Sequence, residues 1–143
     1  MNNSIIEKKK RWLGRYKHNQ LKIAQLQEKL SVLDDRITAI NSPNYSGIPR
    51  SSIPVTIDEL LSDKLTLENR IKILHDKGRD CRREILYVID DLENYIYAEV
   101  LERRFVDCLT FEEIAEEIGY TTRHVFTLYT KALKEIFISG ISQ

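Results

Sequence analysis

Apolar residues recur at alternating steps of three and four along two long stretches, and that spacing commits most of the chain to helix. One series runs Ile23, Leu26, Leu30, Leu33, Ile37 and Ile40 without a break. The other runs Ile57, Leu60, Leu67, Ile71, Leu74, Cys81, Ile85, Val88 and Leu92, with Lys64 and Gly78 in the two remaining positions. A repeat of this period returns to one side of a helix and makes a coiled-coil seam. The first series extends back through Tyr16, Trp12 and Ile5, so one long helix is expected from Ile5 to Ile40. Lys9 and Asn19 interrupt its seam, and Gly14 weakens it by roughly 1 kcal/mol relative to alanine. The second helix opens at Thr56, which has capping-box spacing to Glu59, and Gly78 is a candidate kink.

Asn41 to Thr56 separates the two helices and holds all three prolines, Pro43, Pro49 and Pro54. Prolines fix φ and remove backbone donors, so no regular helix crosses this stretch. It is expected to wrap across the helix ends through Tyr45, Ile48 and Ile53; a partner-docking loop is the alternative. The two helices can fold back as an antiparallel hairpin or pair with a second chain. A lone hairpin buries little, which favours a homodimer through the coiled coil. Leu61, Leu65, Ile73, Leu86 and Ile89 lie beside the seam and offer further packing.

The last third reads differently. Asn94 is a candidate N-cap for a helix over Tyr95 to Val106, whose apolar face is Ile96, Val100, Leu101 and Phe105. Then comes LTFEEIAEEIGYTTRHVFTLYTKALKEI, Leu109 to Ile136. Thr110 and Thr121 can each cap a short helix, and Thr110 with Glu113 has capping-box spacing. Gly119 follows the periodic run Phe111, Ile114, Ala115, Ile118 and can end that helix in a left-handed conformation. In the helix that follows, Val125, Leu128, Ala132, Leu133 and Ile136 make the buried stripe. Tyr97 and Tyr129 are placed on the rim, and the tail beyond Ile136 is expected to fray after Gly140. Thr122, Arg123, Phe126 and Thr127 face outward, with His124, Thr130 and Lys131 on the flanks. Hydrogen-bonding groups, positive charge and an apolar tip are the chemistries that read base edges in a major groove.

The fold expected is all-α. Residues 1–92 form a long-helix coiled-coil hairpin, with the loop at 41–56, and residues 93–143 form a helix-turn-helix domain. Lys+Arg and Asp+Glu both number 22, so net charge is zero. The distribution is uneven, however. Lys8, Lys9, Lys10, Arg11, Arg15 and Lys17 gather near the start, opposed by Glu7 alone. From Glu84 to Glu117 acids predominate. The basic arm reads either as a solvated helix end or as a phosphate contact.

Several classes are disfavoured. No apolar run is long enough to cross a bilayer, and MNNSIIEKKKRW lacks the apolar core of a secretory signal. Cys81 and Cys108 read as small hydrophobes in a reducing cytoplasm. His18, His75 and His124 have no metal-ligand spacing. There is no Gly-rich phosphate loop. No catalytic residues, cofactor or metal are expected.

The segment from Asn94 to Ile136 resembles DNA-binding region 4 of bacterial sigma factors and related regulators. The residues that carry the likeness are Val100, Leu101, Arg104 and Phe105, then Leu109-Thr110, Glu113-Ile114-Ala115, Ile118-Gly119, Val125, and Lys131-Ala132-Leu133. Two departures are Cys108, where relatives often carry glycine or a small polar residue, and the single arginine, Arg123, on the reading helix. Through the Ser/Pro loop, the LENRIKIL heptads, the VIDDLENYIYAEVLERRF helix and the EIAEEIGYTTRHVFTLYTKAL unit, most of the chain from Ser42 onward also resembles the ArpU- and RinA-like late-gene activators carried by phages of Gram-positive bacteria. That resemblance implies control of phage or mobile-element genes by promoter binding. Thr121 would open the reading helix. Arg123 would meet a guanine edge or a phosphate, Thr122 and Thr127 would reach bases with His124 beside them, and Phe126 would touch a thymine methyl. Lys131, Thr110 and the N-terminal arm would hold phosphates. The partners expected are double-stranded DNA, a second copy of the chain and RNA polymerase. The alternatives are a non-enzymatic DNA-packaging adaptor, like the small subunit of a phage terminase, and an RNA-polymerase-binding adaptor that uses the acidic face from Glu112 to Glu117.

Overall fold

The structure is a computed structural model that describes residues 2–41 and 56–141. Among these residues there are six helices and no strand. They are α1 (Asn2–Leu13), α2 (Arg15–Asn41), α3 (Ile57–Asp90), α4 (Tyr95–Phe105), α5 (Phe111–Ile118) and α6 (Thr122–Glu135). The proline-bearing stretch, with Tyr45, Ile48 and Ile53, lies outside the described residues. No described helix is long and apolar enough to cross a membrane.

The expected first helix is two. The break at Gly14 is slight, because Gly14 N–H donates to Lys10 C=O at 2.8 Å and His18 N–H donates to Gly14 C=O at 3.1 Å. Gly78, by contrast, does not interrupt α3. It is buried, and an added Cβ would overlap the Asn19 amide. A larger residue at Gly78 would have to displace the Asn19 side chain. Thr56 caps α3, its hydroxyl accepting Glu59 N–H at 3.2 Å.

Contacts divide the chain into two compact units. One unit joins the residues before Gln20 to those after Lys77; the other is Gln20–Lys77. The first has the larger core. Leu13 of α1 and Ile85 and Ile89 of α3 are buried together with Val100, Leu101, Ile114, Val125, Leu133 and Ile136. The short C-terminal helices cannot enclose their own apolar faces, and α1 and the end of α3 supply the missing wall. Ile138 belongs to the same core, so the segment after α6 is anchored short of Gly140. Arg15 of α2 pairs with Glu84 of α3 at 2.8 Å and stacks on Trp12 at 4.4 Å.

The second unit is thin. Ile23, Leu26 and Ile71 are buried, with Leu30, Leu67 and Leu74 partly buried beside them. Lys64 occupies a seam position of α3 and reaches Asp34 of α2 at 2.9 Å, a contact that holds its pKa above the ordinary lysine value. Leu21, Val32, Leu61, Leu65 and Ile73 remain exposed.

Between α4 and α5 the backbone turns through Cys108 with φ of 58°. A side chain in this region crowds its own carbonyl, and glycine does not. Cys108→Gly is expected to stabilise the chain by about 1 kcal/mol in chemical denaturation, because the strain relieved slightly exceeds the freedom gained by the unfolded chain. Cys81 and Cys108 are free and partly buried, and burial raises the pKa of both thiols.

Candidate nucleic-acid interface

Four residues set the ends of α5 and the start of α6: Thr110, Glu113, Gly119 and Thr121. Thr110 and Glu113 close a full capping box at the start of α5. Glu113 N–H donates to the Thr110 hydroxyl at 3.2 Å, and Thr110 N–H donates to the Glu113 carboxylate at 3.1 Å. That backbone bond from Thr110 holds the Glu113 carboxyl below its ordinary pKa. At the other end Gly119 is left-handed, with φ of 76°, and its N–H and that of Tyr120 both donate to Ala115 C=O. Thr121 then caps α6, accepting His124 N–H at 3.1 Å.

Helix α6 is seated by Val125, Tyr129, Ala132 and Leu133. Tyr129 is 7% exposed, so it belongs to the core and not to the rim. The rings of Phe105 and Phe111 enclose it, with centroids 5.9 and 4.9 Å away. Leu128, expected in the buried stripe, is only partly buried. Arg104 supports the same cluster. Its guanidinium lies 4.3 Å from the Phe111 ring centroid and donates to Leu109 C=O at 3.1 Å.

All eight residues expected to meet DNA are exposed: Thr110, Thr121, Thr122, Arg123, His124, Phe126, Thr127 and Lys131. Their roles are not equivalent. The hydroxyl oxygens of Thr110 and Thr121 already accept cap bonds, which leaves their protons to donate. Thr127 donates to Arg123 C=O at 3.1 Å, so its oxygen remains an acceptor. Thr130 is held likewise by Phe126 C=O at 2.9 Å. Phe126 is 53% exposed, and its ring packs edge-on against Phe111 at 5.5 Å, which fixes the apolar tip in place. His124 is braced edge-on by Tyr120 at 4.9 Å. Lys134, exposed and seven residues beyond Thr127, extends the cationic side of α6. Its spacing from Lys131 and Thr127 was the available signal.

The acids of α5 are partly occupied. Glu113 serves the cap, and Glu117 pairs with Arg103, which also bonds Glu99 at 3.1 Å. Glu112 and Glu116 remain exposed.

The basic N-terminal arm is less available than its composition suggests. Lys9 is 4% exposed, and its Nζ donates to Leu133 C=O at 2.9 Å and Lys134 C=O at 3.4 Å. It therefore closes the C-terminus of α6 and cannot reach a phosphate. Arg15 is paired with Glu84, and Lys10 lies 3.4 Å from Glu7. Lys8, Arg11 and Lys17 remain exposed for outside contact.

No group of three or more His, Cys, Asp or Glu is placed to hold a metal among the described residues. Comparison with known proteins returns no matching family model, no matching curated protein and no matching solved structure.

Proposed function

We propose that this chain is a sequence-specific DNA-binding transcriptional regulator of phage or mobile-element genes. In this reading α5, the turn at Gly119 and α6 are a helix-turn-helix, and α6 lies in the major groove. The observation that carries it is the outward face of α6, where Arg123, Thr127 and Lys131 stand exposed on a helix fixed by a threonine cap at one end and a lysine clasp at the other. A reading helix has to hold its side chains in register with base edges, and rigid seating is what makes a few contacts selective. Phe126 can touch a thymine methyl, and Thr110 and Lys134 can hold flanking phosphates.

The α2 and α3 pair is read as an antiparallel coiled-coil hairpin. Asp34, late in α2, meets Lys64, early in α3, which supports that direction. The thin core of this region and its exposed Leu21, Leu61 and Leu65 support a homodimer, since such a pair buries little alone. Exposed Glu112 and Glu116 give a polymerase contact a place on α5.

Arg123→Ala is expected to weaken binding to the specific duplex by about 1–3 kcal/mol if the contact is to a base edge. Mobility-shift titration against promoter fragments from the chain's own genetic neighbourhood measures it. An unchanged affinity removes Arg123 from the reading set, and no affinity for any fragment at low salt removes the function.

A further inference from the structure

One edge of the Gln20–Lys77 unit carries charge that the fold does not neutralise. Lys22, Lys29 and Arg36 repeat every seven residues on α2, and Arg70 and Lys77 are seven apart on α3. Seven residues make almost two turns, so each set lines one side of its helix at intervals of about 10 Å. Lys29 and Arg36 of α2 and Arg70 of α3 line one groove together with Val32 and Leu67. All five cations are exposed. Asp63 is the sole carboxylate lining the groove. Among the described residues no ion pair engages Lys22, Lys29, Arg70 or Lys77. The chain as a whole is not basic, with 22 cations and 22 acids, so this clustering is local.

Like charges held near one another across a helix seam oppose folding, and an anion placed between them removes that cost. We propose that this edge grips the sugar–phosphate backbone of double-stranded DNA without reading its sequence. The inference rests on the DNA-binding reading of α6 and adds a second, separate contact surface. A duplex presents phosphates in a continuous line and can meet both rows of cations without bringing cations of its own. Arg36 and Arg70 offer planar forks suited to phosphate oxygens. The apolar residues of the groove, with Val32 57% exposed, suit the sugar edges between phosphates.

The test is fluorescence anisotropy of the full chain with a random-sequence duplex across a range of salt. Removing two phosphate contacts in a Lys29→Gln, Arg70→Gln double variant is expected to lower affinity about tenfold and flatten the log–log salt slope by about 2. Lys29→Glu alone places opposite charges across the groove. It is expected to weaken DNA binding while the melting temperature holds or rises, which separates binding from folding. Unchanged affinity and slope in the double variant, with Arg123→Ala still weakening the specific duplex, overturns the cationic edge and leaves α6 as the reader. Absence of DNA binding by the wild type at low salt overturns both. Binding of polyglutamate as tight as that of the duplex overturns the assignment to DNA in favour of an acidic protein partner.

Discussion

A fragment that begins at Glu93 is expected to lose cooperative unfolding, although it contains all of α4, α5 and α6. The cut removes Leu13, Ile85 and Ile89, which are 0%, 0% and 1% exposed in the core that seats α6. Each large aliphatic side chain contributes about 1.5–3 kcal/mol on burial. Their joint loss of about 5–9 kcal/mol is comparable to the whole stability of an ordinary small domain, about 5–15 kcal/mol. The fragment also loses Lys9 and exposes the apolar faces those residues cover. Thermal melts followed by circular dichroism, with dispersion of amide signals in NMR spectra, check the result. A sigmoidal melt within a few degrees of the full chain, with dispersed signals, would show that α4, α5 and α6 suffice. Restoring the residues before Gln20 and those from Gly78 onward on one linked chain is expected to recover the transition, since these make up the compact unit.

Local signals and tertiary ones were unequally legible in the sequence. The caps at Asn94, Thr110 and Thr121 and the left-handed Gly119 depend on residues a few positions apart, so their chemistry is written in short spacings. The apolar period likewise marks the helices themselves. It does not say what covers each stripe. Leu13 looks like any apolar residue of an amphipathic helix, and only the folded chain brings it to Leu101 and Leu133 in one core. Gly78 reads as a candidate kink in sequence, and only the folded chain shows that the Asn19 side chain faces it. The phenol hydroxyl of Tyr129 suggests a rim position, while three neighbouring aromatic rings enclose its ring in the fold. Thr122, Arg123, His124, Phe126, Thr127 and Lys131 are exposed because the period that buries Val125, Ala132 and Leu133 turns the other positions of α6 outward.

Lys9→Met is expected to destabilise the chain by about 1.5–3 kcal/mol, a large effect for one residue at the start of a sequence. Methionine keeps much of the stem volume and removes the ammonium group that serves Leu133 C=O and Lys134 C=O. Those carbonyls belong to the last turn of α6, which has no helical N–H partners and carries the negative end of the helix dipole. A cation there satisfies both needs, and its loss takes the ammonium donor from the buried bond to Leu133 C=O and the part-buried one to Lys134 C=O. Burial also works against the charge and lowers the Lys9 pKa from its ordinary 10.5. The folded chain therefore releases this proton at a lower pH than the unfolded chain. Between the lowered value and 10.5 the unfolded state binds more protons, so the Lys9 contribution to stability rises with pH across that alkaline window. Below it the desolvation cost is present in full. Urea unfolding at neutral pH should show the loss in Lys9→Met, and a series into the alkaline range should show the wild-type curve gaining on the variant's. Equal stability at neutral pH would mean that α1 holds α6 through Leu13 and its apolar neighbours alone, with the lysine as a bystander.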